Sequence, residues 1–327
     1  PLLGHRLKSA DPTWRVEISR VAFPYLQDHK VQGHVVFPAA AYLEMALAAA
    51  KEVFGVGTYI LEEIDFPRAL FIPETGEAPT LQITFYPDDS SFRIYSRLKK
   101  SDQRWTLHAR GKIRSEPEGR DVEPVSLEQL RNTCPKEIAK DLCYEVFRSG
   151  LQYGASFQGI EQLWRGEGNA LGIIHVPEHL RAELEDYLIH PALFDACLQL
   201  LFTTLSIEYI IASSGVFVPI QIDRLRFFNR PGPQVHCHAL LLKQGAKTFE
   251  GNIRLLDENG NVLVDIRGFK EQSIDTVRDA SSEPMNNWIY ECQWQLKPHP
   301  ATKGNHRPVD FLPAAEEIGA QLQSELD

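Results

Sequence analysis

Two short stretches of this chain gather residues able to move protons. The first reads Asp28-His29-Lys30-Val31-Gln32-Gly33-His34-Val35-Val36-Phe37-Pro38. An imidazole titrates near neutrality, so His29 has the chemistry of a general base. Gly33 lets the backbone approach a ligand without a side chain in the way. A helix opening at Pro38 offers free N–H groups and a partial positive charge, suited to an anion or a developing enolate oxygen. The same residues also describe a turn glycine and a helix-starting proline, with His29 merely hydrogen-bonded. His34 competes for the role of base, and spacing does not choose between the two.

The second stretch reads His190-Pro191-Ala192-Leu193-Phe194-Asp195-Ala196-Cys197-Leu198-Gln199. Asp195 and Gln199 stand at i and i+4, on one face of an apolar helix. A carboxylate there is costly unless paired or protonated, and burial raises its pKa, which suits a proton donor. Gln199 is placed to orient it. The rival reading puts Asp195 near the first turn as a favourable charge on the helix dipole. Two further segments stand out. Tyr153-Gly154-Ala155-Ser156-Phe157-Gln158-Gly159 reads as a tight loop packed under a core. In Val216-Phe217-Val218-Pro219-Ile220 the proline implies a strand edge or bulge of the kind found at pocket walls.

The elements that must carry these residues are legible. Residues 38–55 form an Ala/Leu-rich stretch with Pro at its start and Gly at its end, which predicts a helix. Alternation predicts strands over 14–24, 81–97 (a hairpin turning at Pro87-Asp88-Asp89) and 104–114. Residues 115–126 read as a linker. The second half repeats the plan. Helices are expected at Leu127–Leu130 and within 136–149, then an apolar helix from Pro191, with strands at 170–176, 216–228, 234–243, 249–256 and 261–269. Each half has one long apolar helix opened by His…Pro-Ala among strands, a repeat of plan rather than of sequence.

Composition sets limits. The 327 residues carry a formal charge of −10, which disfavours a general nucleic-acid binder. Basic residues at Arg97, Lys99, Lys100, Arg110, Lys112 and Arg114 read as solvated strand faces. The five cysteines lack CxxC spacing, which points away from a disulfide framework or zinc knuckle and towards a reducing, cytoplasmic setting. No apolar run reaches the ~20 residues of a membrane span. The opening Pro1-Leu2-Leu3-Gly4-His5 reads as an excised piece of a longer chain without a secretion signal. No GxGxxG, P-loop, HExxH or GxSxG pattern supports nucleotide, zinc-peptidase or serine-hydrolase chemistry.

The ordered set of motifs resembles the dehydratase domains of modular polyketide synthases. His29…Gly33…Pro38 matches their HxxxGxxxxP, HPALFDACLQ their HPALLDAxLQ, and YGASFQG their YGxxFQG. PLLGHRL, VPIQIDRL and the stretch WIYECQWQ look like further landmarks, and the resemblance runs from residue 1 to about 275. The departures are small: Phe194 stands for the commoner Leu and Cys197 for a small residue.

The resemblance implies an α+β double hotdog, two concatenated units each with a curved antiparallel sheet around a long helix. The expected boundaries are 1–120 for the first unit, 121–135 for a linker, 136–278 for the second unit and 279–327 for a tail. It implies His29 as base and Asp195 as acid, meeting where the units join. Gly33, Pro38 and Gln199 would support them, with Tyr153, Gly159 and Pro219 in pocket-lining motifs. The implied reaction removes water from a 3-hydroxyacyl thioester to give a 2,3-enoyl thioester. No metal or diffusible cofactor is implied; the substrate rides on the phosphopantetheine arm of an acyl carrier protein. Expected partners are that carrier, neighbouring synthase domains and a second copy in a homodimer, with no nucleic acid and no membrane. Three alternatives stay open: double-bond isomerisation or oxygen-heterocycle closure by the same pair, an aromatic product-template cyclase, and a scaffold without activity.

Overall fold

The structure is a computed structural model; it describes residues 1–98, 104–116, 122–147, 150–206, 208–210 and 215–275. The described residues all belong to one compact unit. The tail expected over 279–327 lies outside the described residues.

The first half contains β1 (His5–Arg6), β2 (Thr13–Glu17), β3 (His29–Val31), β4 (His34–Val35), α1 (Ala39–Phe54), β5 (Thr58–Asp65), β6 (Thr80–Tyr86), β7 (Ser91–Arg97) and β8 (Thr106–Glu116). The second contains α2 (Leu127–Thr133), β9 (Lys136–Ile138), α3 (Lys140–Phe147), β10 (Leu151–Tyr153), β11 (Ile160–Arg165), β12 (Asn169–His175) and α4 (Pro191–Phe202). It ends with β13 (Gly215–Phe227), β14 (Gln234–Gln244), β15 (Thr248–Leu256) and β16 (Val262–Asp275).

Thirteen strands form one sheet, ordered β1-β2-β6-β7-β8-β5-β13-β16-β15-β14-β12-β11-β9. Within it, β2-β6-β7-β8-β5 and β12-β14-β15-β16-β13 share one wiring. A strand precedes the long helix, the next strand returns to the far side, and a three-strand meander fills the gap. The repeat of plan is therefore a repeat of topology. The equivalent strands β5 and β13 join the halves antiparallel, with Leu61 opposite Leu225 and Ile64 opposite Ile222. This is the α+β double hotdog. A separate small sheet, β10-β3-β4, completes the strands.

The helices form because their apolar faces have somewhere to go. α1 packs on β5, β6 and β8, α4 packs on β12, β14 and β15, and the two helices touch. Every residue of α4 is buried. One core runs from Trp14, Ile83 and Ile94 through Leu47 and Leu200 to Ile253 and Ile266. Each such side chain contributes about 1.5–3 kcal/mol on burial. On the outer face, Arg110, Lys112 and Arg114 of β8 pair with Asp65, Glu63 and Glu62 at 3.0, 2.8 and 2.9 Å. They are solvated, neutralised strand faces.

Several elements differ from expectation. The strand over 14–24 ends at Glu17; Pro24 opens a 3-10 helix at Pro24–Asp28 instead, because it lacks the N–H a ladder needs. Val21 is 91% exposed, so its place in the alternating pattern carries no core contact. The helix expected within 136–149 is α3, preceded by the short strand Lys136–Ile138, which pairs with the open edge of β11. Pro38 caps α1 in extended conformation rather than taking its first helical position. The helix expected at Leu127–Leu130 is α2, which runs on to Thr133 and is capped by Ser126 Oγ accepting from the Gln129 N–H at 3.2 Å. β5 and β11 went unpredicted.

Candidate active site

The small sheet exists to hold His29. β3 and β4 are joined by Gln32-Gly33, both with positive φ (49° and 82°), a two-residue hairpin turn in which glycine is the favoured residue. β10 pairs on the other side with Tyr153 opposite His29. His29 is buried, and its Nδ1 lies 2.8 Å from the carbonyl oxygen of Val36. A carbonyl only accepts, so Nδ1 carries the proton and Nε2 keeps the lone pair. That Nε2 lies 3.8 Å from Asp195 Oδ1. The ring is flanked by Tyr153 and Phe157, with centroids 5.7 and 5.1 Å away. His34 is exposed and faces Phe71, so it stands apart from this pair.

Asp195 sits in the second turn of α4, because Pro191 is the first helical residue and His190 the cap. It is buried, which removes the first-turn dipole reading. Burial pushes its carboxyl above the usual range, while His29 and the Gln199 hydrogen bond oppose the shift. Gln199 Nε2 donates both to Asp195 Oδ2 at 2.9 Å and to the Phe157 carbonyl at 3.1 Å. The Phe157 carbonyl fixes which end of the amide faces Asp195. Oδ2 then accepts, and the proton of a neutral Asp195 resides on Oδ1, the oxygen that faces His29.

The YGASFQG segment is clamped beneath this pair. Gly154 N–H donates to the Asp28 carbonyl at 2.7 Å, and the Ser156 N–H and Oγ both donate to Asp28 Oδ2 at 2.9 and 2.6 Å. A β-carbon at Gly154 would run into the Asp28 carboxylate. A β-carbon at Gly159 would meet the His175 carbonyl oxygen at 2.9 Å and Ala196 Cβ at 3.0 Å, so glycine there lets the segment lie against α4 beside Asp195. Pro219 is half-buried where β13 slips register against β16, which is the expected bulge.

His29, Asp195, Gln199 and Tyr153 thus come together. Gly33 is placed differently from the expectation of a free donor: it is exposed, and its N–H donates to Gln152 Oε1 at 2.8 Å. The sequence reading missed Gln152 and the Asp28–Ser156 clamp. It also missed Glu44, which accepts the N–H groups of Leu188 and Ile189 at 2.9 and 2.8 Å just before α4. Glu271, a second buried carboxyl, was missed too. Its signal was the phase Phe269, Glu271, Ser273 on a strand expected to end at 269.

The chain matches two family models, "Polyketide synthase dehydratase domain" over residues 1–97 and "Polyketide synthase dehydratase N-terminal domain" over residues 122–280. Among solved structures, the dehydratase domain from the CurF module of curacin polyketide synthase is 33% identical. It aligns with a TM-score of 0.76 over 84% of this chain and 99% of its own. An inactive mutant of CurK dehydratase, with histidine replaced by phenylalanine, is also 33% identical, with a TM-score of 0.76 over 84% of this chain and 98% of its own. A mycocerosic acid synthase-like polyketide synthase of Mycolicibacterium smegmatis is 26% identical over 93% of this chain; the chain spans 14% of that relative's length. Both halves of the fold and the motifs on them agree with these matches, and the chain belongs to the dehydratase domains of modular polyketide synthases.

Proposed function

We propose that this domain removes water from a 3-hydroxyacyl thioester presented on the phosphopantetheine arm of an acyl carrier protein, giving a 2,3-enoyl thioester. The observation that carries the reading is the opposed pair: His29 Nε2 faces, at 3.8 Å, the buried carboxyl of Asp195, which burial raises above its usual range. His29 Nε2 takes the proton from the α-carbon. The electron pair of that C–H bond becomes the new double bond, and the β-carbon–oxygen bond breaks. Asp195 Oδ1 gives its proton to the departing hydroxyl, which leaves as water. Burial raises the Asp195 carboxyl, which favours the acid's role in this elimination. The α1 N-terminus and the Gly33 N–H are the candidates for polarising the thioester carbonyl. Gly33 serves only once Gln152 lets go.

A CurK dehydratase with aspartate replaced by asparagine is described, like the histidine mutant, as inactive. That parallel supports roles for His29 and Asp195 here. We extend the proposal to unit boundaries near residues 120 and 136, to the carrier and adjoining synthase domains as partners, and to a homodimer. Incubation with a 3-hydroxyacyl carrier protein, read by mass spectrometry, tests the reaction. A loss of about 18 mass units, one water, is expected from the native domain. No loss is expected from His29→Ala or Asp195→Asn, with folding intact by circular dichroism. Turnover by His29→Ala at the native rate would refute the assignment.

A further inference from the structure

Glu271 is a buried carboxyl that the proposed elimination does not use. It lies on β16 between Phe269 and Ser273, which are buried on the same face, while Lys270 and Gln272 face the other way. Its cross-strand neighbours are Pro219 on β13 and Phe249 on β15. Phe249 contacts Phe217 and Phe202, with ring centroids 5.0 and 6.3 Å away. From Phe202 the rings continue through Phe147 (5.0 Å) to Tyr153 (5.4 Å), which flanks His29. A chain of buried ring contacts therefore links Glu271 to the candidate pair.

Glu271 is only 7% exposed, yet among the described residues no group donates to, accepts from or ion-pairs with its carboxyl. A buried polar group without a partner costs about 1–3 kcal/mol or more, so a fold keeps one where something else completes it. Burial, the largest cause, pushes Glu271 up to about 8. At neutral pH it is a protonated acid, with one donor and one acceptor side by side. A hydroxyl offers the complementary acceptor and donor. A ketone would satisfy only the donor, and an ammonium group would need a carboxylate that the site disfavours.

We propose that Glu271 is a specificity-determining residue that binds a hydroxyl group carried on the acyl chain beyond the reacting β-carbon, so that the domain prefers polyhydroxylated chains to plain alkyl ones. The inference rests on the dehydratase reading above. A plain methylene against Glu271 leaves the carboxyl unsatisfied. A site built to hydrogen-bond a substrate hydroxyl rejects the analogue lacking it for that reason.

The test is a panel of carrier-bound 3-hydroxyacyl chains of one length. One is otherwise plain; the others bear a second hydroxyl two, four or six carbons beyond the β-carbon. Native domain, Glu271→Leu and Glu271→Gln are compared by kcat/KM. The native domain is expected to favour one hydroxylated chain by about tenfold. Glu271→Leu is expected to lose that preference, and Glu271→Gln, which keeps a donor and an acceptor, to retain part of it. Equal turnover of all chains by the native domain overturns the proposal without need of any variant, and so does a preference that survives Glu271→Leu. Failure to turn over any chain of the panel refutes the dehydratase reading itself, and the proposal falls with it.

Discussion

The carboxylate of Glu44, in the middle of α1, accepts the N–H of Ile189 at 2.8 Å, one residue before the cap of α4. With the Leu188 N–H at 2.9 Å, this fastens the helix of one half to the start of the other. The angle at which α4 presents Asp195 depends on that fastening.

Glu44→Gln keeps only one acceptor for two N–H groups. It is expected to lower stability by about 1–3 kcal/mol in urea unfolding. Burial raises Glu44 from 4.5 to about 7. The folded state thus binds its proton more tightly than the unfolded chain. Its contribution is fully present below about pH 4.5 and is lost as pH rises through 7. Buried His108, His190 and His238, lowered to about 4, add stability as pH rises through the same window, so the variant comparison isolates Glu44. The melting temperature of the native domain relative to that of Glu44→Gln should fall over that window. A difference that stays constant with pH would contradict the assignment.

Asp195 acts as a donor only while it holds its proton, and its carboxyl is raised by burial. The kcat profile is expected to fall on its alkaline side, at a pH above the ordinary carboxylate value of 3.8. Gln199→Leu removes the group that directs the proton to Oδ1. It should cut kcat ~10–100-fold with KM little changed, and it should displace the alkaline limb. A purely structural Gln199 would leave that limb in place.

Gln152 occupies the Gly33 N–H, so Gln152→Ala frees it. If that N–H polarises the substrate, the variant gains the roughly 1 kcal/mol that the competing bond contributes, about a fivefold rise in kcat/KM. An unchanged value would leave carbonyl polarisation to the α1 N-terminus.

Gly154→Ala drives a methyl group into the Asp28 carboxylate. The expected cost is about 1–3 kcal/mol, read by denaturant unfolding. Adding Asp28→Ala removes the obstruction. The double variant should therefore be more stable than the sum of the two single losses predicts, and the size of that coupling measures the clamp.

The long helices, the meanders and the residues on them were legible because period and punctuation agree there. α1 has Pro38 before it and Gly55 after it, and α4 is apolar apart from Asp195 and Gln199. The pairing of β9 with β11 was not legible, because the ladder partner of Lys136–Ile138 lies far along the chain. Nor was the short reach of the first strand, where Val21 continues an alternation without a core to face. In the site, His29 and Asp195 were named from motif order. Spacing alone left His34 as a rival; the motif match chose His29, and the structure sets the two apart, His29 buried beside Asp195 and His34 exposed. Glu271 escaped because a glutamate in a strand ordinarily marks the solvent face.

The junction of β5 with β13 bears on how this domain can be cut and moved. Severing the chain between its halves would uncover Tyr59–Asp65 of β5 and Gln221–Phe227 of β13, both long and hydrogen-bond-hungry. Each fragment would present a raw sheet margin prone to self-association. A graft into another assembly line must therefore carry both halves together, with the seam intact.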